Sequence, residues 1–478
     1  MRSQDNQPSR ARAARCRRTR TGPRTLAGNR VARRGREPFR MIRVAAFLIL
    51  GTFVALAAGP TRAMADNAGG SPFEPESLSV SDVIHQALRR NDRVLAARYM
   101  EDAAGNRVAP SGAWDDPMLM AGVANLPTSF DFKEDMMTMT MVGLSQTIPY
   151  AGQKGLQARA AKSESQAAAE ERRFTEVDVA VAAKIAFFDL FYRSTIVADL
   201  MRQREILDQI VESATAKLRT NQAGQDEVLS AQAALWRLDS MILMAEERVD
   251  ASRYALNSLR GADPESRIVL SARPFEHEVP GSPDTWIETA ERTYPPVQAL
   301  RYRSESYRLS AEAERRMRWP MFTLSASYGW RADTEMEKRG DMVSFYASLS
   351  LPLFKGRHQK DAALSMDAMG RGKEAEAAQM RRDIRSEILT LHERAVLLDE
   401  RLDLYRNRII PTAEDAYQSA LSGYATGRTS FVALLDYALG IIRDSIEANE
   451  IENELAMTLA EVERYTWLPE IVSDTDQR

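Results

Sequence analysis

The sequence predicts a mostly α-helical protein with a small β part, built twice over as a strand pair followed by a long helical hairpin. Three observations predict it: an internal repeat, two pairs of short alternating runs, and two very long stretches with helical spacing. A constant shift of 203 residues lays Val94-Leu95-Ala96-Ala97-Arg98-Tyr99 on Val297-Gln298-Ala299-Leu300-Arg301-Tyr302. The same shift lays Asp116-Pro117-Met118 on Trp319-Pro320-Met321, Ile148-Pro149 on Leu351-Pro352, and Gly224 on Gly427. An offset held through separated landmarks means that each half carries the same elements in the same order.

Residues 1–65 stand apart from this repeat. Residues 1–40 hold thirteen Arg, no Lys and almost nothing apolar, so they cannot bury a core. Met41 opens a secretory signal with Arg43 as its basic end, Val44 to Leu56 as its apolar run and Ala63-Met64-Ala65 as a cleavage site before Asp66. Met41 is therefore read as the true start, with cleavage after Ala65 and 1–40 as an extension; a basic nucleic-acid-binding arm makes little sense ahead of an export signal. Residues 1–65 carry fifteen Arg against Asp5 and Glu37, and taking this +13 from the chain's −3 leaves −16 for the rest. So acidic a mature chain is no nucleic-acid binder. The single cysteine, Cys16, lies in the removed part. With no cysteine at the cleavage site there is no lipid anchor there, and any membrane attachment must come from the fold.

The first repeat, 66–262, should hold strands at about 117–126 and 138–148; the second, 285–468, should hold strands at about 320–330 and 342–351. In Val343 to Leu351 the residues Val343, Phe345, Ala347, Leu349 and Leu351 alternate with Ser344, Tyr346, Ser348 and Ser350. Its partner alternates Phe322, Leu324, Ala326 and Tyr328 against Met321, Thr323, Ser325 and Ser327. Each run has the length of a tilted transmembrane strand. Trp114, Phe130, Phe132, Tyr150, Trp319, Trp330 and Phe354 sit at the ends, as an interfacial girdle requires. Four strands cannot close a barrel, and open edges are not tolerated in lipid, so several protomers must share one barrel if the strands span a membrane.

The hairpins are expected over 153–261 and 356–467. Gln153 to Arg219 has no proline, and Phe174, Val177, Val181, Ile185, Phe188 and Tyr192 recur every three or four positions. Asn221-Gln-Ala-Gly-Gln225 and Gly423-Tyr-Ala-Thr-Gly427 turn the hairpins, with return helices from about 229 and 431. Pro411 should kink the second long helix without ending it. The charged, proline-rich stretch 263–284 joins the halves, and 469–478 is a tail; with residues 66–78 they are expected to form a belt around the helices.

These features carry a resemblance. Over roughly 79–468 the chain resembles the TolC family of outer-membrane efflux proteins, through the duplication and the strand pair before each hairpin. The junction phrases Leu144-Ser-Gln-Thr-Ile-Pro-Tyr-Ala-Gly152 and Leu349-Ser-Leu-Pro-Leu-Phe-Lys-Gly356 and the tips around Gly224 and Gly427 carry it too. The resemblance implies a homotrimer with a twelve-strand β-barrel in the outer membrane, continuous with an α-helical barrel in the periplasm. It also implies a passive exit duct served by an inner-membrane transporter and a periplasmic adaptor that docks on the helical tips. Matching from Gly427, Asp436 is the retained acidic position of the closed aperture, and Ala433 stands where the other acid would be. Three copies of Asp436 would form a cation-attracting ring, whereas alone it is an exposed acid or the partner of a nearby Arg. Gly224, Gln225, Gly427 and Arg428 are the candidate adaptor contacts, with Asp226 and Glu227 as alternatives.

Methionines are the other unusual feature. By the repeat register, Met118, Met120, Met139 and Met141 share the serine face of their strands, which would be the lumen. Thioethers suit Cu(I), and Asp116-Pro-Met-Leu-Met120 with Asn125-Leu-Pro127 resembles the heavy-metal branch of the family. Copper or silver ions are thus the first candidate cargo and hydrophobic drugs the second; methionine as simple apolar filler is the plain alternative. No chemistry is expected: the histidines at 85, 277, 358 and 392 have no ligand spacing, and phosphate-loop, dinucleotide and nucleophile-elbow motifs are lacking, so no enzyme and no cofactor are predicted. A periplasmic adaptor and a coiled-coil envelope scaffold are the rivals of another class.

Overall fold

A computed structural model describes residues 76–270, 279–333, 338–351 and 355–466. The signal segment, Cys16, the cleavage site, the middle of the linker, Phe354, the Pro352 junction and the tail after 466 lie outside the described residues.

The chain begins with β1 (Glu76–Leu78), α1 (Val80–Arg90), α2 (Asp92–Asn106) and the short α3 (Val108–Gly112). A first hairpin of strands, β2 (Met118–Ala124) and β3 (Met139–Ile148), leads into α4 (Gln153–Arg219) and α5 (Gln225–Leu259). After β4 (Ile268–Leu270) come α6 (Asp284–Thr293) and α7 (Pro295–Arg316), then β5 (Phe322–Trp330) and β6 (Met342–Leu349). A descending arm of α8 (Lys355–Leu404), one π turn (Tyr405–Ile409) and α9 (Ile410–Ala425) then meets the returning α10 (Phe431–Thr466). The order helix, strand pair, helical hairpin thus occurs twice.

Strands β2-β3-β5-β6 form one antiparallel sheet. Among the described residues its outer strands, β2 and β6, are unpaired on their far sides, so the sheet is open. Register fixes its two faces. Leu119, Leu144, Ala326 and Phe345 lie in one row and Ala121, Val142, Tyr328 and Val343 in the next. The opposite face carries Met118, Ser145, Ser325 and Tyr346, then Met120, Gly143, Ser327 and Ser344.

With its 67 residues, α4 reaches about 100 Å at 1.5 Å per residue. Its middle packs under α1: Val179, Ala183, Phe187 and Phe188 share a core with Val83, Ile84, Ala87 and Leu88, all buried. The parallel pair β1–β4 closes onto the same core through Leu78, Ile268 and Leu270. The linker is held on the second hairpin by His392, whose Nε2 lies 2.8 Å from the Pro280 carbonyl and whose ring meets Trp286 edge-on.

Pro411 sits in the first turn of α9. It has no N–H for the carbonyl four residues earlier and its ring crowds that carbonyl. The π turn resolves this locally, with the Ile410 N–H donating to the Tyr405 carbonyl.

The two tips use the same turn but not the register that the 203-residue shift implies. At the first tip the Gln222 N–H donates to the Lys217 carbonyl (2.8 Å) and Asn221 N–H to Leu218 (3.0 Å), with Asn221 at φ 58°. At the second the Arg428 N–H donates to Gly423 (2.8 Å) and Gly427 N–H to Tyr424 (3.2 Å), with Gly427 at φ 74°. Each is a Schellman cap closed by a left-handed residue. The equivalent of Gly427 is therefore Asn221, and the match of Gly224 to Gly427 is corrected. Gly224 instead caps the start of α5, the place that Ser430 takes for α10, where its Oγ accepts from the Ala433 N–H (3.3 Å). The second descending arm thus ends three residues later than a strict repeat allows, α4 closing at Arg219 and α9 at Ala425. The first return helix also starts earlier than expected, at Gln225.

A side chain at Gly427 would meet the left-handed backbone penalty, about 1 kcal/mol. Gly427→Ala should loosen the second tip by that amount, while Asn221→Gly should leave the first tip equally or more stable. Hydrogen exchange at the Arg428 and Gln222 amides, the donors that close each cap, reads both outcomes.

Candidate functional site

The tips present the first group of candidate residues. Gln225 and Arg428 are exposed. Arg428 Nε donates only locally, to Thr426 Oγ1 (3.1 Å), and its guanidinium forms no ion pair among the described residues. Asp226 stands in the first turn of α5, where a carboxylate complements the helix dipole. Glu227 is not free: its Oε2 accepts from the Tyr424 hydroxyl at 2.9 Å.

That bond belongs to a network that the sequence reading missed. Lys217 Nζ, at the end of α4, donates to the Tyr424 carbonyl (2.7 Å) and lies 3.5 Å from the centre of the Tyr424 ring. Tyr424 also packs against Phe431. One side chain of the second hairpin is thereby held by α4 and α5 of the first, through a cation over its ring and a carboxylate on its hydroxyl. Beneath it, Leu207, Ile210, Ala231, Leu235, Phe431 and Leu434 form a core shared by the two hairpins. Burial, then the Glu227 hydrogen bond and charge, push the Tyr424 hydroxyl up to about 12. The phrase Gly423-Tyr424 reads in sequence only as a turn; its partners are some 200 residues away.

Asp436 lies on the exposed side of α10 with Val432, Leu439 and Arg443, spaced three or four apart. It makes no hydrogen bond or ion pair among the described residues, so pairing with a nearby Arg is not realised in this protomer.

The four singled-out methionines share the serine-bearing face of the sheet. Met118 and Met120 are 61% and 42% exposed, and Met139 and Met141 are half-buried. Met139 folds over Gly329, where a Cβ would come within 2.6 Å of its sulfur. On the same face Ser325 Oγ donates to Ser145 Oγ (3.1 Å) and the Thr147 and Thr323 hydroxyls meet at 3.2 Å. The opposite face is apolar and bare, with Leu119 72% and Phe345 79% exposed. Aromatics gather at the strand ends, where Tyr150 stacks on Trp319 with ring centres 5.6 Å apart. Among the described residues no three His, Cys, Asp or Glu converge as a metal site, and no helix is long and apolar enough to cross a membrane.

No known family model and no curated protein matches this sequence. Solved outer-membrane channels match its fold. The outer-membrane channel OprN aligns with a TM-score of 0.66 at 17% identity, over 83% of this chain and 94% of its own. The outer membrane protein VceC of Vibrio cholerae aligns at 0.66 and 16%, over 81% and 96%. CusC, solved in connection with folding and transmembrane channel formation, aligns at 0.68 and 14%, over 84% and 95%. At these identities the likeness establishes a shared fold: strand pairs on long helical hairpins, twice over.

The raised tyrosines set an alkaline limit. Tyr294, buried beside Tyr465, is also pushed up to about 12 from 10.0. A raised folded-state pKa means that the unfolded chain ionises first, so the stability these groups supply is complete below about pH 10 and lost towards pH 12. The melting temperature should fall across that window, and Tyr424→Phe should flatten the fall. At neutral pH the same variant should lose about 1–2 kcal/mol, the worth of a hydrogen bond to a carboxylate. Melts from pH 8 to 12 measure both.

Proposed function

We propose that this protein is the outer-membrane exit duct of a tripartite efflux pump, a homotrimer that is passive and carries no cofactor. The observation that supports it best is the open four-stranded sheet, apolar on one face and serine-bearing on the other, rooted in hairpins about 100 Å long. Three such sheets give a closed barrel of twelve strands whose apolar face meets lipid and whose serine and methionine face lines the lumen. The hairpins continue this barrel through the periplasm as an α-helical tunnel. The likeness in fold to outer-membrane channels supports the same reading.

The rest of the machine follows from where the exposed residues stand. A periplasmic adaptor, coupled to an inner-membrane transporter, docks on the tips at Gly224, Gln225, Gly427 and Arg428. Three Asp436 carboxylates around the axis form a ring that admits cations. Met118, Met120, Met139 and Met141 face the cargo, and their soft sulfurs favour copper(I) or silver ions. Organic solutes are the second reading, favoured by an apolar cavity of about 600 Å3 on the hairpins.

In a deletion strain, selective sensitivity to copper and silver that the wild-type gene reverses, and Met118→Leu with Met120→Leu does not, would support the metal cargo. Sensitivity to hydrophobic drugs alone would transfer the duct to organic solutes. Heat-sensitive trimer bands after detergent extraction are expected; extraction by salt alone would point to a scaffold and overturn the duct. In planar bilayers Asp436→Asn should shift the reversal potential towards zero in a salt gradient, and an unchanged potential would remove the ring.

A further inference from the structure

The cavity lies on the layer formed by α5, α4, α10 and α8, near the middle of α4 and away from both tips and sheet. Its side of the layer follows from helix geometry. On α4 the lining residues Ile185, Asp189, Arg193 and Ile196 recur every three or four positions. Phe187, two positions from Asp189 and so about 200° around the helix, is buried in the core shared with α1. On α10 Asn453 and Met457 line the cavity, while Ile451, Leu455 and Leu459 point away into the core with α8 and Trp286. The cavity therefore opens opposite the covering made by α1, β1, β4 and α6.

Its walls are apolar and adaptable: Ile196, Leu200 and Ile446, with the thioethers of Met241, Met244 and Met457. Unbranched methionines reshape around varied ligands at small cost. Half of the lining residues are polar, and they are unequally satisfied. Asp189 is burdened by burial, yet accepts from Arg193 Nε (2.8 Å), Ser252 Oγ (2.5 Å) and Asn453 Nδ2 (3.4 Å), and these bonds hold its carboxyl below the usual range. Arg394 and Glu454 pair with each other, and Glu461 pairs with Arg464.

One acceptor on α10 is left. Asn453 spends its amide N–H on Asp189, and its Oδ1 is buried out of a guest's reach. Glu450, three residues earlier on the same side of the helix, is exposed and forms no ion pair among the described residues. A free carboxylate beside an apolar wall calls for a donor that is also a cation. Across the cavity Arg248 of α5 is likewise unpaired among the described residues, but the four carboxylates of Asp189, Glu450, Glu454 and Glu461 against the three guanidinium groups of Arg193, Arg248 and Arg394 leave the lining one charge negative, which a monocation balances.

We propose that this cavity binds an amphipathic organic monocation: an amine with a ring or chain body of drug size. Its N–H groups donate to the Glu450 carboxylate, and its body lies on the wall of Met241, Met244 and Met457. The volume and the pairing of an apolar wall with a polar one suit such a ligand. That this face is the lumen, so that the guest is a cargo in transit, rests on the duct reading; the binding itself does not.

The test uses the full mature chain in lipid nanodiscs, titrated with rhodamine 6G, a lipophilic monocation, by fluorescence polarisation against empty nanodiscs. Saturable binding is expected, with fluorescein, an anion of similar size, binding far more weakly. Glu450→Gln should weaken rhodamine 6G binding about tenfold, the usual worth of a charge-assisted hydrogen bond. Ala245→Trp, which fills the cavity from α5, should abolish it. Glu450 is exposed, so its variant keeps the fold, and helical circular dichroism confirms it for both. No saturable binding above the empty nanodiscs, or binding unchanged in Glu450→Gln, overturns the proposal. Conductance of the same preparations in planar bilayers separates the two readings: a conducting protein without binding sinks only this inference, and a binding protein without conductance sinks only the duct.

Discussion

Two bare edges and one bare apolar face are the constraint on which the rest of the molecule depends. In water the exposed Leu119, Val142, Leu144, Val343 and Phe345 form a contiguous patch of the kind that soluble monomers avoid. In lipid that face is at ease, but the N–H and C=O groups on the outer edges of β2 and β6 then have no water to bond. Only closure against further strands satisfies both at once. In the proposed trimer, closure with two more copies needs no change of strand length, since the four strands are of similar span. Once the apolar face is assigned to lipid, the strict alternation of β5 and β6 sends Ser325, Ser327 and Ser344 inward without further assumption.

The long helices need a different kind of control, because an apolar stripe alone lets one helix slide along another. Here ion pairs between elements fix the register. Arg172 of α4 binds Glu101 of α2 and also Glu176 (2.7 Å) one turn on. Asp178 of α4 is shared by Arg93 of α2 and Arg464 of α10. Lys184 reaches Glu463. In Arg172 burial works against the charged form, but Glu176 and Glu101 outweigh it and hold the guanidinium above its usual range. Such half-buried, doubly bonded pairs contribute more to position than exposed ones do. They lie at mid-height, and the Tyr424 network does the same service at the tips.

The sequence was most legible where one period governs a segment. The alternation of Phe322 to Tyr328 and of Val343 to Leu349 located both strands within two residues, and their face assignment follows the same arithmetic. The unbroken run from Gln153 to Arg219 is α4 to the residue. What escaped was either non-local or a coincidence. The match of Gly224 with Gly427 was a coincidence: a tip needs one left-handed residue, Asn fills that place in one copy and Gly in the other, and a second glycine nearby mimicked the repeat. Lys217, Tyr424 and Glu227 carry no shared motif, because a cation over a ring leaves no spacing to read. The cavity draws on four helices whose contributing residues run from Ile185 to Glu461, and no window of sequence brings them together.

The sheet methionines divide once their neighbours are considered. Met141 lies in a row between Gly122 and Gly329, with Met342 beyond, and Met120 faces Gly143. Large side chains beside glycines are how a pleated surface fills its own gaps, and Met139 does so directly by lying over Gly329. Its sulfur already has neighbours, so for Met139 and Met141 packing is a sufficient reason to be methionine. Met118, on the open edge strand β2, faces Ser145 and has no such excuse, and it is 61% exposed. A flexible thioether held out on a serine-lined surface gains nothing from burial. If soft metal ions are met anywhere along this surface, β2 is where sulfur can turn towards them.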